Sequence, residues 1–147
     1  MFKILAVAMD KESIRAQISQ VKAKINKLSK DRKQLEDMIL CLGPMLEGSF
    51  TKRYTRCKKP GCKCEKGQRH GPYFSISKKD DNGKTRLEYV RSGQIVVVSQ
   101  LLEARRQFRA GLKRLKQTQQ AIDEALFQFE QLKIREGEAQ RTDLRKS

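Results

Sequence analysis

The sequence predicts a mainly α-helical chain with a small β element set between two long helices, an α+β fold. Three observations predict it. Apolar residues recur at alternating intervals of four and three in the first and last thirds. The middle third changes to an alternation of two, the period of a half-buried strand. Charged residues make up 34% and aromatics only 6%, which suits solvated helices around a narrow core better than a broad sheet sandwich.

The first helix is expected over residues 10–43. Its seam reads Ile14, Ile18, Val21, Ile25, Leu28, Leu35, Ile39 and Leu42, with Arg32 in the one missing seat. Successive heptads of this kind mark a coiled-coil edge. Gly43-Pro44 should stop it, because proline disfavours the helical region for its predecessor.

The second helix is expected over residues 93–136, with Ser92 as its N-cap. Its seam is Leu101, Phe108, Leu112, Leu115, Ile122, Leu126 and Phe129, with Arg105 and Gln119 also in seam seats. Ile95-Val96-Val97-Val98 locally prefers strand and opposes this start. Gly137 and a polar tail over residues 137–147 should end the helix. Together the two helices predict an antiparallel coiled-coil hairpin with the β element as an insertion at its tip. In that register Arg32 and Arg105 share a level, so both stems should snorkel outward, or else mark a seat for an acidic group or a place where the helices splay.

Residues 1–9 are apolar but too short for a signal peptide, and Asp10-Lys11-Glu12 follows without a cleavage pattern. They read as an N-terminal extension. No run approaches the ~20 apolar residues a membrane span needs. A cytoplasmic location follows as an expectation, and there the four cysteines stay reduced.

The middle segment, residues 44–92, holds strand-like pieces at 49–55, 72–77 and 84–90, with Asn82-Gly83 as a hairpin turn. Tyr54, Tyr73 and Phe74 are expected to pack against Ile76, Leu87 and Tyr89; stacking on unpaired bases is their other use. So few strands are not stable alone in water. A staple is needed.

Cys57, Cys62, Cys64 and His70 supply one, in the pattern C-x4-C-x-C-x5-H. Zinc takes four ligands at tetrahedral corners, thiolate and imidazole by preference. Pro60-Gly61 and Gly67 let the backbone wrap a point. The alternative, buried thiols in a small core, meets neighbours that are lysines, glycines and a proline. Cys41 reads as a small packing residue on the first helix. Three cysteines and one histidine fill the zinc shell and leave no open position, and no phosphate-binding glycine loop or nucleophile constellation accompanies them. No enzyme is expected.

Arg53-Tyr54-Thr55-Arg56-Cys57, Lys59-Pro60-Gly61-Cys62-Lys63-Cys64 and His70-Gly71-Pro72-Tyr73, followed by a hairpin and a helix, resemble an uncharacterised family of small bacterial and archaeal proteins. The resemblance covers about Leu46 to Arg109. It implies a helix, a cysteine-rich ribbon and a helix, an association with mobile genetic elements, and work on DNA. It transfers no biochemical activity.

Charge points the same way. Thirty-three Lys and Arg against seventeen Asp and Glu leave +16, which a polyanion would screen. Nucleic acid is the first candidate and anionic membrane the second. Lys52, Arg53, Arg56, Lys58, Lys59, Lys63, Lys66 and Arg69 stand against Glu65 alone. Arg105, Arg106, Arg109 and Lys113 form a second group, continued by Arg114 and Lys116. Contacts should fall mostly on the phosphate backbone and weaken with salt.

The expected function is a zinc-stabilised, basic nucleic-acid-binding accessory protein, with DNA favoured over RNA and a nucleoid-associated location. Its helices would dock a larger protein complex or a second copy of the chain. The alternatives are a coiled-coil adaptor that binds a protein, and an RNA-binding protein.

Overall fold

The computed structural model describes residues 10–147, so the expected extension over residues 1–9 lies outside the described residues. It is mainly helical, with a small antiparallel sheet of three strands. The elements are α1 (Lys11–Leu40), β1 (Ser49–Thr55), β2 (His70–Lys79), β3 (Thr85–Val90) and α2 (Ile95–Lys146). The chain divides into two compact units. One contains the residues up to Leu40 together with Gly111–Ser147, and the other is Cys41–Ala110.

In the first unit α1 packs on the C-terminal part of α2. Ile14, Ile18 and Leu132 form a buried cluster, with Val21 and Phe129 against it. Arg32 Nη1 donates to Gln119 Oε1 at 3.0 Å, and Gly111 lies against Ile39. Numbers rise along α1 as they fall along α2, so these segments run antiparallel. Every seam residue expected on α1 is buried or half-buried.

The expected seam on α2 is buried or half-buried at every apolar seat but one. Phe129, Ile122 and Leu115 face inward, but Leu126 is 48% exposed. The inward alternation runs through Gly111, Leu115, Thr118, Ile122, Ala125, Phe129, Leu132, Glu136 and Ala139. Small residues hold seats expected for leucine because the helices approach closely. A Cβ on Gly111 would come within 3.1 Å of Ile39 Cγ2, tighter than side chains ordinarily pack.

Two further expectations need correction. Arg32 does not meet Arg105: it bonds Gln119 and lies 3.6 Å from Glu36, while Arg105 pairs with Glu47 at 3.4 Å. And α2 continues through Gly137 to Lys146. One interior glycine costs a helix only about 1 kcal/mol. Ion pairs Lys133–Glu136, Arg15–Glu136 and Lys11–Asp143 support this last stretch, two of them tying it to α1.

The second unit is built on the sheet, in the order β1-β2-β3. Phe50 pairs with Ile76 and Phe74 with Val90, so these four share the inner face. Ile76 and Val90 are buried, and the Phe50 and Phe74 rings are 5.2 Å apart. Leu46 N–H donates to Leu101 O, tying the entry to the sheet onto α2. Gly48 sits at φ 131 where a Cβ would overlap Ile76 Cγ2, so the chain can pass this close only without a side chain.

Asn82-Gly83 turns the hairpin as expected. Gly83 at φ 78 completes a turn in which Gly83 N–H bonds Asp80 O and Asp80 N–H bonds Lys84 O. Ser92, however, does not cap α2. It opens a short 3-10 turn over Ser92–Gln94, and the valine-rich stretch then forms the first turns of α2. Cys41 is exposed just past α1, so it is not the packing residue expected.

Candidate metal centre

The loop between β1 and β2 brings together the four residues singled out by spacing. Cys57 follows two residues after β1, Cys62 and Cys64 flank the start of a 3-10 turn at Lys63–Lys66, and His70 opens β2. Thr55 pairs with His70 across the two strands, so the sheet holds both ends of the loop.

Local chemistry shapes the interior of the loop. Cys62 N–H bonds Lys59 O at 3.4 Å, with Pro60 and Gly61 between them and Gly61 at φ 78. That is a type II turn, in which proline presets the second position and glycine supplies the positive φ of the third. Glu65 N–H bonds Cys62 O, Gly67 N–H bonds Cys64 O, and Gly67 at φ 88 ends the 3-10 turn. At His70 the fit is tight: a Cβ on Gly71 would lie 2.9 Å from Arg53 O.

The donor atoms of Cys57, Cys62, Cys64 and His70 all lie within 4.8 Å of one another. Cys57 Sγ is 3.1 Å from both Cys64 Sγ and His70 Nε2, and Cys62 Sγ is 3.0 Å from His70 Nε2. The sulfurs are therefore well beyond the ~2.05 Å of a disulfide, and all four cysteines are free. With Zn–S near 2.3 Å and Zn–N near 2.0 Å, the edges of a zinc tetrahedron are roughly 3.5–3.8 Å. The donors are gathered to the scale of one ion. This set of three cysteines and one histidine could hold a metal ion such as zinc.

The electrostatics suit a cation. The Cys64 backbone N–H beside the Cys62 sulfur, with the Cys57 and Cys64 side chains helping, lowers the Cys62 thiol to about 6. It is thus a thiolate at neutral pH. The Cys57 thiol is pushed up, chiefly by its hydrogen bond with Cys64, while the Lys59 backbone N–H pulls it down. One site so holds a ready thiolate and a neighbouring thiol that keeps its proton, the state a metal converts by displacing that proton. Cys64 is 2% exposed, so the centre is closed on that side.

The cations divide into two kinds. Lys52, Arg53, Arg56, Lys58, Lys59, Lys63, Lys66 and Arg69 are all exposed. Among the described residues none of them forms an ion pair; Lys52 instead lies over the Tyr54 ring. On α2, Arg105 is paired with Glu47 and Arg106 with Glu103, partners the sequence reading did not assign. Arg109 lines a cleft of about 570 Å³ with them, beside Ser49 and Phe50, and Lys113 is exposed in the other unit.

Residues 15–96 match the model of a domain of unknown function, DUF6788, more than half of the chain. The chain belongs to the DUF6788 family. The DUF6788 match takes in most of α1, the four-residue cluster and the whole sheet, and ends at the start of α2. It therefore begins earlier than the resemblance read from the cysteine motif, and α1 is part of the family's domain. No curated protein and no solved structure matches the chain.

The aromatic expectation is overturned in part. Tyr73, Leu87 and Tyr89 do not join Phe74 and Ile76 in a core. They are 39%, 59% and 62% exposed, because the register places them on the opposite face. Tyr54 is exposed as well, and Phe50, which the sequence reading passed over, supplies the missing core ring. Among the described residues no helix is long and apolar enough to cross a membrane.

Proposed function

We propose that this chain is a zinc-stabilised nucleic-acid-binding accessory protein that acts on DNA and is not itself an enzyme. Zinc in the cluster of three cysteines and one histidine fixes the loop between β1 and β2, and the loop and β1 present their cations to phosphates. One observation carries the reading. Eight exposed cations between Lys52 and Arg69 surround the cluster, and among the described residues none has an acidic partner. Charge of one sign packed this closely repels itself, and a bound polyanion would offset that repulsion. Arg109 and Lys113 extend the same sign along α2, while Arg105 and Arg106 are partly neutralised by glutamates.

In this reading α1 and the C-terminal part of α2 form an antiparallel coiled-coil hairpin that docks a larger complex, of the kind mobile elements use to process DNA. The protein is cytoplasmic and nucleoid-associated. Anion binding at the cations makes the test direct. Affinity for a DNA duplex should fall log-linearly with salt, with a slope near −0.9 per phosphate contacted. Arg53→Glu with Arg56→Glu should weaken binding by about tenfold or more and flatten that slope. Binding indifferent to both removes the proposal.

A second reading has its own support. Leu126, Phe127 and Ile134 are 48%, 63% and 48% exposed on α2, apolar side chains that a protein partner or second copy would cover. An adaptor of this kind is told apart by solution mass. A chain that self-associates or captures a protein but leaves DNA free is the adaptor.

A further inference from the structure

We propose that the outward face of the sheet is a stacking platform for single-stranded DNA, an inference that rests on the nucleic-acid reading above and names its substrate. Strand register defines the face. Arg53 pairs with Tyr73, Thr51 with Ser75, Ser75 with Tyr89, and Ser77 with Leu87. Directly paired residues share a side of the sheet, and this is the side opposite Phe50, Phe74, Ile76 and Val90. No acidic residue lies on it. Glu88, the one acid within β3, is paired with Ile76 on the inner side.

Chemistry selects the occupant. Leu87 is the sole aliphatic side chain on this face, which otherwise holds hydroxyls, two tyrosines and the cations Arg53 and Lys79. Exposed rings flanked by cations, with no competing carboxylate, match what an unpaired strand offers: π-faces joined by phosphates. Duplex DNA hides those faces within its stack. Tyr73 and Tyr89 are diagonal neighbours, about 7–8 Å apart at the backbone, so each seats a separate base. The exposed cations of Lys58, Lys59, Lys63 and Lys66 on the adjoining loop take the phosphates of the continuing strand. DNA as the substrate is taken from the nucleic-acid reading above, and oligo-U tests that choice.

Fluorescence anisotropy with the zinc-loaded full chain tests this, using labelled oligo-dT about 12 nucleotides long, a duplex of the same length and oligo-U. Wild type should prefer oligo-dT to the duplex. Tyr73→Ala and Tyr89→Ala should each weaken oligo-dT binding about tenfold or more while leaving duplex binding within about twofold, and Tyr89→Phe should restore it. Unchanged zinc content shows that the variants fold. If the alanine variants bind oligo-dT like wild type while Arg53→Glu with Arg56→Glu does not, stacking is wrong and the nucleic-acid reading stands. If oligo-U binds about tenfold tighter than oligo-dT, the assignment to DNA is wrong. If wild type binds none of the three, both readings fall.

Discussion

Cys64 sets the centre at the residue scale. It is the most buried of the four donors, it touches Cys57 through its sulfur, and its backbone N–H lowers the Cys62 thiol. Replacing it with serine would put a harder, far less acidic hydroxyl, held short of the site, in place of a thiolate donor. Cys64→Ser should therefore drop zinc from about one ion per chain to less than about a tenth, read by elemental analysis. His70→Cys should keep the metal, because shells of four cysteines hold zinc equally well. Full zinc retention by Cys64→Ser would show that the four residues are not a metal shell.

Asp80 works at the same scale in the hairpin. Its Oδ1 accepts from Asn82 N–H and Lys84 N–H, and its Oδ2 from Arg86 Nε at 2.8 Å. Arg86 and those backbone donors hold the carboxyl below its ordinary 3.8. A depressed carboxyl contributes stability that is complete above the ordinary value and is lost as pH falls through the folded one. Asp80→Asn should thus lower Tm at pH 7, with the gap to wild type closing as the melts are taken below pH 3.8. A gap that stays constant with pH would assign the effect to shape rather than charge.

At the scale of elements, α1 was legible and α2 only partly so. Ile14 through Ile39 are large and apolar, and a count of such residues finds their face. Gly111 and Ala125 carry no such signal, so the count missed both and took the exposed Leu126 in place of Ala125. Close helix approach selects small residues, which periodicity reads as gaps. The strands behaved alike: their extents were readable, but the pairing of Ile76 with Glu88 was not, and a shift of one residue moves Leu87 and Tyr89 to the other face. The four clustered donors, Cys57, Cys62, Cys64 and His70, were legible because donor chemistry and clustering do not depend on register. Glycine position then yields opposite outcomes on one helix. Gly111→Leu should destabilise by about 1–3 kcal/mol through overpacking on Ile39. Gly137→Ala, where a Cβ meets nothing within 4 Å, should stabilise by about 0.5–1 kcal/mol. Thermal melts followed by ellipticity decide both, and equal effects at the two sites would contradict the close approach.

For the whole molecule, the two units rest on different forces. The first buries Ile14, Ile18, Ile122 and Leu132 between helices. The second has a smaller interior, with Ile76, Val90 and Cys64 buried, and in the proposed reading the metal cluster that closes its loop adds to the stability of the sheet. Optical probes happen to separate them. All three tyrosines, Tyr54, Tyr73 and Tyr89, lie in the second unit and the chain has no tryptophan. The tyrosine band of the near-ultraviolet circular dichroism therefore reports the second unit, while ellipticity at 222 nm is dominated by α1 and α2. Removing metal with a chelator should abolish most of the tyrosine signal and cost the helical signal little, because the α1–α2 seam contains no donor. DNA affinity should fall with the tyrosine signal, since the cations lose their fixed spacing, and both should return on adding back zinc. If the two signals instead vanish together, the seam depends on the metal centre and the division of stabilising forces is wrong. If neither changes while metal leaves, the sheet holds its own fold and the staple is dispensable.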